Sequence, residues 1–254
     1  MKIRKGDFMN LLEVKKLNVT LNEKKIIRDI NFSIKKGETI VIIGPNGSGK
    51  TTIAKALTGF PGLEVEGEAK FKGENLLSMN PSKRSKEGLF MSFQNPVEIQ
   101  GVSISNFIRT AINSRRKKEE KINIKEYIQE LNETMNLLGI PKEFSRRELN
   151  HGFSGGEKKK AEMLQLMMLK PDLAILDETD SGLDIDALKN VCENINLLKQ
   201  KNKELGLIII THYKRMLDYL DVNRVIVIKE GRIIKEGGTE LIHLIEEKGF
   251  EDIK

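Results

Sequence analysis

Residues 39–52 read TIVIIGPNGSGKTT. The unbroken run from Thr39 to Ile43 is the mark of a short strand buried on both faces. Gly44, Pro45, Asn46, Gly47, Ser48 and Gly49 form a Gly-rich loop, and Lys50, Thr51 and Thr52 open a helical stretch reaching residue 59. Together they match G-x-x-x-x-G-K-[ST], the phosphate loop. Glycines let backbone N–H groups turn inward around a β-phosphate, which side chains would obstruct. The helix beginning near Lys50 adds its positive end. Lys50 suits neutralisation of the β- and γ-phosphates, and the Thr51 hydroxyl suits magnesium, with Thr52 beside it. A strand before the loop and a helix after it set this match apart from a chance Gly-rich turn.

Short strands lead into this unit at 11–19 and 30–34. Another strand spans 66–72 and turns at Lys72-Gly73-Glu74, and 88–93 reads as a further buried strand. From about Ser103 to Lys170 the pattern becomes helical, punctuated by Pro141 and Gly152, so a helical lobe inserted into an α/β core is expected. Beyond it, strands at 173–176, 207–210 and 225–228 alternate with helices at 186–201 and 213–220, which predicts a parallel sheet covered by helices.

The strand LAIL at 173–176 ends in Asp177 and Glu178. Ligands gather at the carboxyl ends of parallel strands. There Asp177 suits a magnesium ligand, and Glu178 suits the base that polarises the water attacking a γ-phosphate. Opposite charges sharing one phosphate site attract, so Lys50 and Glu178 are expected to pair when no nucleotide is bound. Upstream, Phe153-Ser154-Gly155-Gly156-Glu157 precedes a helical stretch. Ser154 and the amides of Gly155 and Gly156 would cap that helix and make a second anion site. Two γ-phosphate sites on one chain suggest a head-to-tail dimer, each nucleotide held by the phosphate loop of one copy and the Ser154 segment of the other.

These motifs in this order resemble the ATP-binding-cassette (ABC) ATPase family, whose signature is usually written LSGGQ. The resemblance implies a RecA-like P-loop core with an N-terminal antiparallel β subdomain and an inserted helical subdomain. The cassette would span residues 9–254, with the helical part at about 97–168 and residues 1–8 a flexible extension. It further implies roles for three residues: Gln94 as the Q-loop glutamine touching magnesium or water, Asp184 in the Ser181-Gly182-Leu183-Asp184 loop that crosses the dimer, and His212 on the γ-phosphate. Catalysis would thus fall to Glu178, His212, Gln94 and Lys50. Magnesium would fall to Thr51, Gln94 and Asp177, and ATP to residues 44–52, Ser154, Gly155, Gly156, Glu157 and Asp184. One element departs from the family: no aromatic residue lies near Val19-Thr20-Leu21-Asn22, where relatives stack one on adenine. Leu21 or Val19 is the expected apolar substitute.

Four blocks narrow the resemblance: FQNPVEIQGVS at 93–103, NHGFSGGEKKK at 150–160, DETDSGLDIDALK at 177–189 and THY at 211–213. They resemble the SufC branch, the ATPase subunits of the Suf iron–sulfur cluster assembly machine, although Gln100 stands where that branch usually has proline. That branch binds SufB and SufD scaffold proteins without a membrane subunit. The docking groove is expected at 95–107 together with the helical lobe. The alternative is the nucleotide-binding subunit of an ABC membrane transporter, which shares every core motif.

Composition limits the other classes. The net charge is +6, but Lys and Arg are interleaved with acids, and even RRKKEEK at 115–121 carries two glutamates, the pattern of a solvated surface rather than a nucleic-acid groove. No apolar run approaches the ~20 residues of a membrane-spanning helix, so no direct membrane insertion is expected. The one cysteine, Cys192, rules out an internal disulfide, fits a reducing cytoplasm and reads as a small buried hydrophobe. The N-terminal residues lack the apolar stretch of a secretory signal.

Overall fold

A computed structural model describes residues 10–117, 119–179, 185–211 and 214–250. The parallel sheet is built around β3 (Thr39–Ile43), the strand that leads into the phosphate loop. Strands β1 (Leu12–Leu21) and β2 (Lys24–Ile34) precede it. After it come helix α1 (Lys50–Thr58), β4 (Glu64–Phe71), β5 (Glu74–Asn75), α2 (Pro81–Lys86) and β6 (Leu89–Ser92). The middle holds β7 (Ile99–Ser103), α3 (Ile104–Ser114), α4 (Ile124–Leu137), a 3₁₀ turn (Lys142–Arg146), β8 (Glu148–Leu149) and α5 (Gly155–Leu169). The chain then runs through β9 (Leu173–Asp177), α6 (Ile185–Lys201), β10 (Gly206–Ile210), α7 (Lys214–Leu217), β11 (Arg224–Lys229), β12 (Arg232–Gly237) and α8 (Glu240–Lys248).

Among the described residues the strands form three sheets. The first has order β2-β1-β4-β5, and the strand pairs β1–β2, β1–β4 and β4–β5 are antiparallel. The second has order β12-β11-β3-β10-β9-β6 and is parallel except at its β12 edge. A small β7–β8 pair closes the helical lobe. The first two are the antiparallel subdomain and the parallel core expected from the sequence. The antiparallel edge strand β12 was not anticipated, because its alternation is diluted by Lys235 and Glu236.

The sheet carries apolar side chains on both faces. Ile40, Ile42, Ile175 and Ile208 face the antiparallel sheet and α1, packing with Ile53 and Leu57. Val41, Ile43, Ala174 and Ile209 face α5 and α6, packing with Leu166 and Cys192, which is fully buried as expected. A third cluster fills the helical lobe around Ile108, Tyr127, Phe144 and Phe153. Helix α5 joins the two bodies. Its Met163, Leu166 and Met167 enter the sheet-side core, whereas Ala161, Leu164 and Met168 enter the lobe's core. A helix apolar on two sides is a buried helix.

Arg84 on α2 is 6% exposed, a burial that no local pattern of residues announces. Its guanidinium donates to the carbonyls of Ala56 at 2.7 Å and Leu57 at 2.8 Å, in the last turn of α1, and to Met79 O at 2.9 Å. It thus satisfies the Leu57 carbonyl, which the end of α1 leaves orphaned, and adds a second donor to the Ala56 carbonyl already bonded by the Gly59 N–H at 3.2 Å, at the negative end of the helix. Arg84→Leu is expected to destabilise the fold by about 3 kcal/mol, removing the donor that the buried Leu57 and Met79 carbonyls share and leaving the Ala56 carbonyl with its Gly59 bond alone. Thermal denaturation reads this as a midpoint lower by roughly 6–12 °C.

Candidate functional site

The register of the parallel sheet gathers the predicted residues at one edge. Ile210 pairs with Ile42 on one side and Asp177 on the other, and Ser92 pairs with Leu176. The loops after β3, β6 and β9 therefore leave the sheet side by side. They border a cavity of about 460 Å³ whose lining includes Asn46, Gly47, Lys50, Thr51, Thr52, Gln94 and Glu178.

The loop after β3 has no room for larger residues at its ends. A Cβ on Gly44 would sit 2.1 Å from the carbonyl oxygen of Ile228, and one on Gly49, at φ 103°, would sit 2.4 Å from Ile27 Cδ1. Lys50 is 5% exposed. Its Nζ donates to the carbonyls of Gly44 at 2.9 Å and Pro45 at 3.0 Å. Burial lowers its pKa, against the opposing charges of Glu178 and Asp177. The expected Lys50–Glu178 ion pair is not formed. The loop's own carbonyls hold the ammonium, and Glu178 instead accepts a bond from Gln94 Nε2 at 2.6 Å.

Asp177 is 1% exposed. One of its carboxylate oxygens, Oδ1, accepts the Thr51 hydroxyl at 3.1 Å, and Oδ2 has no hydrogen-bond partner. Burial raises its pKa to about 6, aided by the charge of Glu178 and opposed by the Thr51 bond. A buried carboxylate oxygen without a donor, next to a threonine hydroxyl, is a hard oxygen pair suited to Mg2+. The Ser48 hydroxyl is likewise buried without a partner inside the phosphate loop. Glu178 adopts φ 49°, and its N–H bonds Ile210 O at 2.9 Å. For a non-glycine residue this left-handed backbone carries a strain of about 1 kcal/mol, which marks the position as specially held. Sequence reading had no access to that strain.

Where an adenine ring is expected, Leu21 lines the cavity at 38% exposure. Val19, the other candidate, is wholly buried, because the register irregularities on either side of it turn it into the core while Leu21 stays on the cavity. Ile26 on β2 lines the cavity beside Leu21 and was missed, since only the β1–β2 pairing brings it there.

Ser154, Gly155, Gly156 and Glu157 are not among the residues lining this cavity. Ser154 caps α5 in a capping box: its Oγ accepts the Glu157 N–H at 3.3 Å, and Glu157 Oε2 accepts the Ser154 N–H at 2.9 Å. Neither Gly155 nor Gly156 has positive φ, and a Cβ built on either meets nothing within 4 Å. The chain itself therefore does not require glycine at these two positions. His212 and the 181–184 loop with Asp184 lie outside the described residues.

Fold and site together define a nucleotide-binding cassette of the P-loop class. Residues 27–181 match the family model described as ABC transporter. The chain belongs to this ATP-binding-cassette family, whose members bind ATP and generally hydrolyse it. Over 247 residues it is 45% identical to a "Probable ATP-dependent transporter ycf16" of Trieres chinensis, covering 96% of this chain and 98% of that protein. It is 44% identical to "Vegetative protein 296" of Bacillus subtilis (strain 168), covering 96% and 93%. The fold also superposes on a nucleotide-free ATP-binding cassette of an ABC transporter with a TM-score of 0.76, at 23% identity and coverage of 96% and 98%. A cassette solved as a dimer in a post-hydrolysis state with ADP and Pi aligns with a TM-score of 0.76 at 17% identity, covering 89% of this chain and 98% of that one. Among the described residues no helix is long and apolar enough to cross a membrane.

Proposed function

We propose that this chain hydrolyses Mg·ATP between two copies arranged head to tail, as the cytoplasmic ATPase subunit of a SufB/SufD-type iron–sulfur assembly complex. The observation that carries the two-copy reading is the open α5 N-terminus. Its two glycines are free of any constraint from within the chain, so their smallness serves something that approaches from outside. Helix N-termini bind anions, and a triphosphate held on another copy's phosphate loop is such an object.

In this reading Lys50 gives up the carbonyls of Gly44 and Pro45 to meet the β- and γ-phosphates, so the loop is pre-shaped by the cation that will serve it. Thr51 and Asp177 would hold magnesium. Gln94 spends its amide nitrogen on Glu178 and keeps its oxygen for the metal. When bound, magnesium supplies positive charge against the phosphate oxygens. Glu178 orients and polarises the attacking water, and Gln94 fixes its carboxylate. The rest of catalysis is positioning and charge neutralisation. His212 and Asp184 retain the roles that the family resemblance gives them.

Metal binding at Asp177 competes with a proton. The carboxyl is protonated below its pKa of about 6 and ionised above it. Apparent Mg·ATP affinity should therefore be flat near pH 8 and fall as pH drops below 6, by up to about tenfold per pH unit. Calorimetry in buffers of different ionisation heat should find a proton released on binding near pH 6 and none at pH 8. Equal proton release at both values would remove Asp177 from the metal site.

The SufB/SufD assignment rests on the four sequence blocks. The docking stretch carries Val97, 75% exposed beside Gln94, with its carbonyl held by Asn150 Nδ2 at 2.8 Å. Glu98 is occupied by Lys158 at 3.2 Å and His151 at 3.3 Å, so Val97 is the cleaner position to change. Val97→Asp is expected to abolish co-purification with a SufB/SufD-type scaffold while leaving nucleotide binding intact. Undiminished co-purification would remove this stretch from the interface. The second reading, the ATP-binding subunit of a membrane transporter, is favoured by the name of the Trieres chinensis relative. A pull-down from native membranes and cytosol separates the two: an integral membrane partner selects the transporter.

A further inference from the structure

The signature segment departs from LSGGQ at its last position, where this chain has Glu157. An acid in the first turn strengthens the helix, but it also places negative charge beside a site expected to receive a triphosphate. The fold supplies a cation for it. Arg147 Nη1 donates to Glu157 Oε1, and Glu157 Oε2 is occupied by the Ser154 N–H, so both carboxylate oxygens are engaged within the chain. Arg147 is fixed by stacking. Its guanidinium lies 4.3 Å from the centroid of Phe153 and 5.3 Å from that of Phe144. Those two rings pack at 4.8 Å and are buried in the helical lobe. The Arg147 backbone is tied too, its carbonyl accepting the Ile104 N–H at 3.0 Å. A lysine could not stack its charge in this way, because only the planar guanidinium lies flat on a ring while donating sideways.

We propose that Arg147 is a positioning residue for the composite nucleotide site: it neutralises Glu157 and turns its carboxylate away, making an acidic signature compatible with a triphosphate. This rests on the reading that the α5 N-terminus meets nucleotide bound to a second copy. Glu157 then serves as helix cap without repelling the ligand. The amides of Gly155 and Gly156, clear of other atoms, remain for the anion.

The test measures the ATP concentration that half-saturates dimerisation, by light scattering, in a Glu178→Gln background that traps the closed state. Arg147→Met is expected to need about tenfold more ATP, the scale of one uncompensated charge at a helix end acting at two sites. Glu157→Gln keeps an oxygen for the Ser154 N–H and is the reference for the double variant. The double variant Arg147→Met/Glu157→Gln should return to within about twofold of it, because neutralising the acid removes the need for its partner. Arg147→Lys, retaining the charge, should fall between the background and Arg147→Met. A double variant as impaired as Arg147→Met would overturn the proposal, as would an unimpaired Arg147→Met or an Arg147→Lys as poor as Arg147→Met. If the Glu178→Gln background itself never dimerises with Mg·ATP, the two-copy reading fails first, and that outcome is distinct from the others.

Discussion

Glu178→Gln should bind Mg·ATP, remain dimeric and turn over slowly, with kcat reduced by roughly 10²- to 10⁴-fold, the usual contribution of a general base. The change keeps the size of the side chain and its hydrogen bond to Gln94, whose amide can pair with an amide as with a carboxylate. It removes the negative charge that polarises water. It also relieves the charge that helps hold the Asp177 pKa near 6, so magnesium affinity should not fall. The two effects separate cleanly: single-turnover kinetics should show slow cleavage while gel filtration shows a persistent dimer. Rapid turnover in this variant would take the base role away from Glu178.

The second large effect is expected at Gly156. The Cβ of a valine there meets nothing within 4 Å in the isolated chain, and its backbone is an ordinary helical one, so folding stability should change by less than about 0.5 kcal/mol. The branched side chain would nonetheless cover the N–H groups at the start of α5. ATP-driven dimerisation should be lost, and turnover should fall about 100-fold or more, the scale of losing a preorganised donor of an anion site. ATP binding to the monomer, measured by fluorescence, should be unchanged, because no residue of the signature lines the phosphate-loop cavity. A Gly156→Val protein that hydrolysed ATP at the normal rate would mean that this helix end meets no nucleotide. The same change at Gly44 would act differently, since a Cβ there strikes Ile228 O and disturbs the fold itself.

The contrast shows what was legible in the sequence. The phosphate loop could be read because sterics, helix start and charge all act locally, and residues 39–52 hold every part. Asp177 could be read because an apolar strand ending in acids has one obvious place in a parallel sheet. The Ser154 cap could be read because a serine stands directly before a helical stretch; its reciprocal bond with Glu157 came only from the structure. What escaped depends on pairings between distant segments. Arg84 reaches the end of α1 from another helix 27 and 28 residues away, and no local pattern marks a surface-looking arginine as buried. Ile26 reaches the nucleotide cavity only through the β1–β2 register. Val19 and Leu21 lie two residues apart, which on a regular strand places both on one face. The register irregularities between Leu17 and Thr20 break that rule, leaving Val19 in the core and Leu21 on the cavity. The Lys50–Glu178 pairing looked favourable as simple Coulomb attraction. It lost to nearer partners: the loop carbonyls accept from Lys50, and the Gln94 amide donates to Glu178.

The central claim is that one functional site takes its phosphate loop from one copy and its signature from the other. Mixing two inactive variants tests it most directly. Lys50→Ala lacks the phosphate-loop cation, and Gly156→Val lacks the signature. In a mixed dimer of opposite orientation, both defects fall in one site and the other site is wholly intact. ATPase activity, absent from each protein alone, should appear when the two are combined. No activity in a mixture shown to contain the mixed dimer would contradict it.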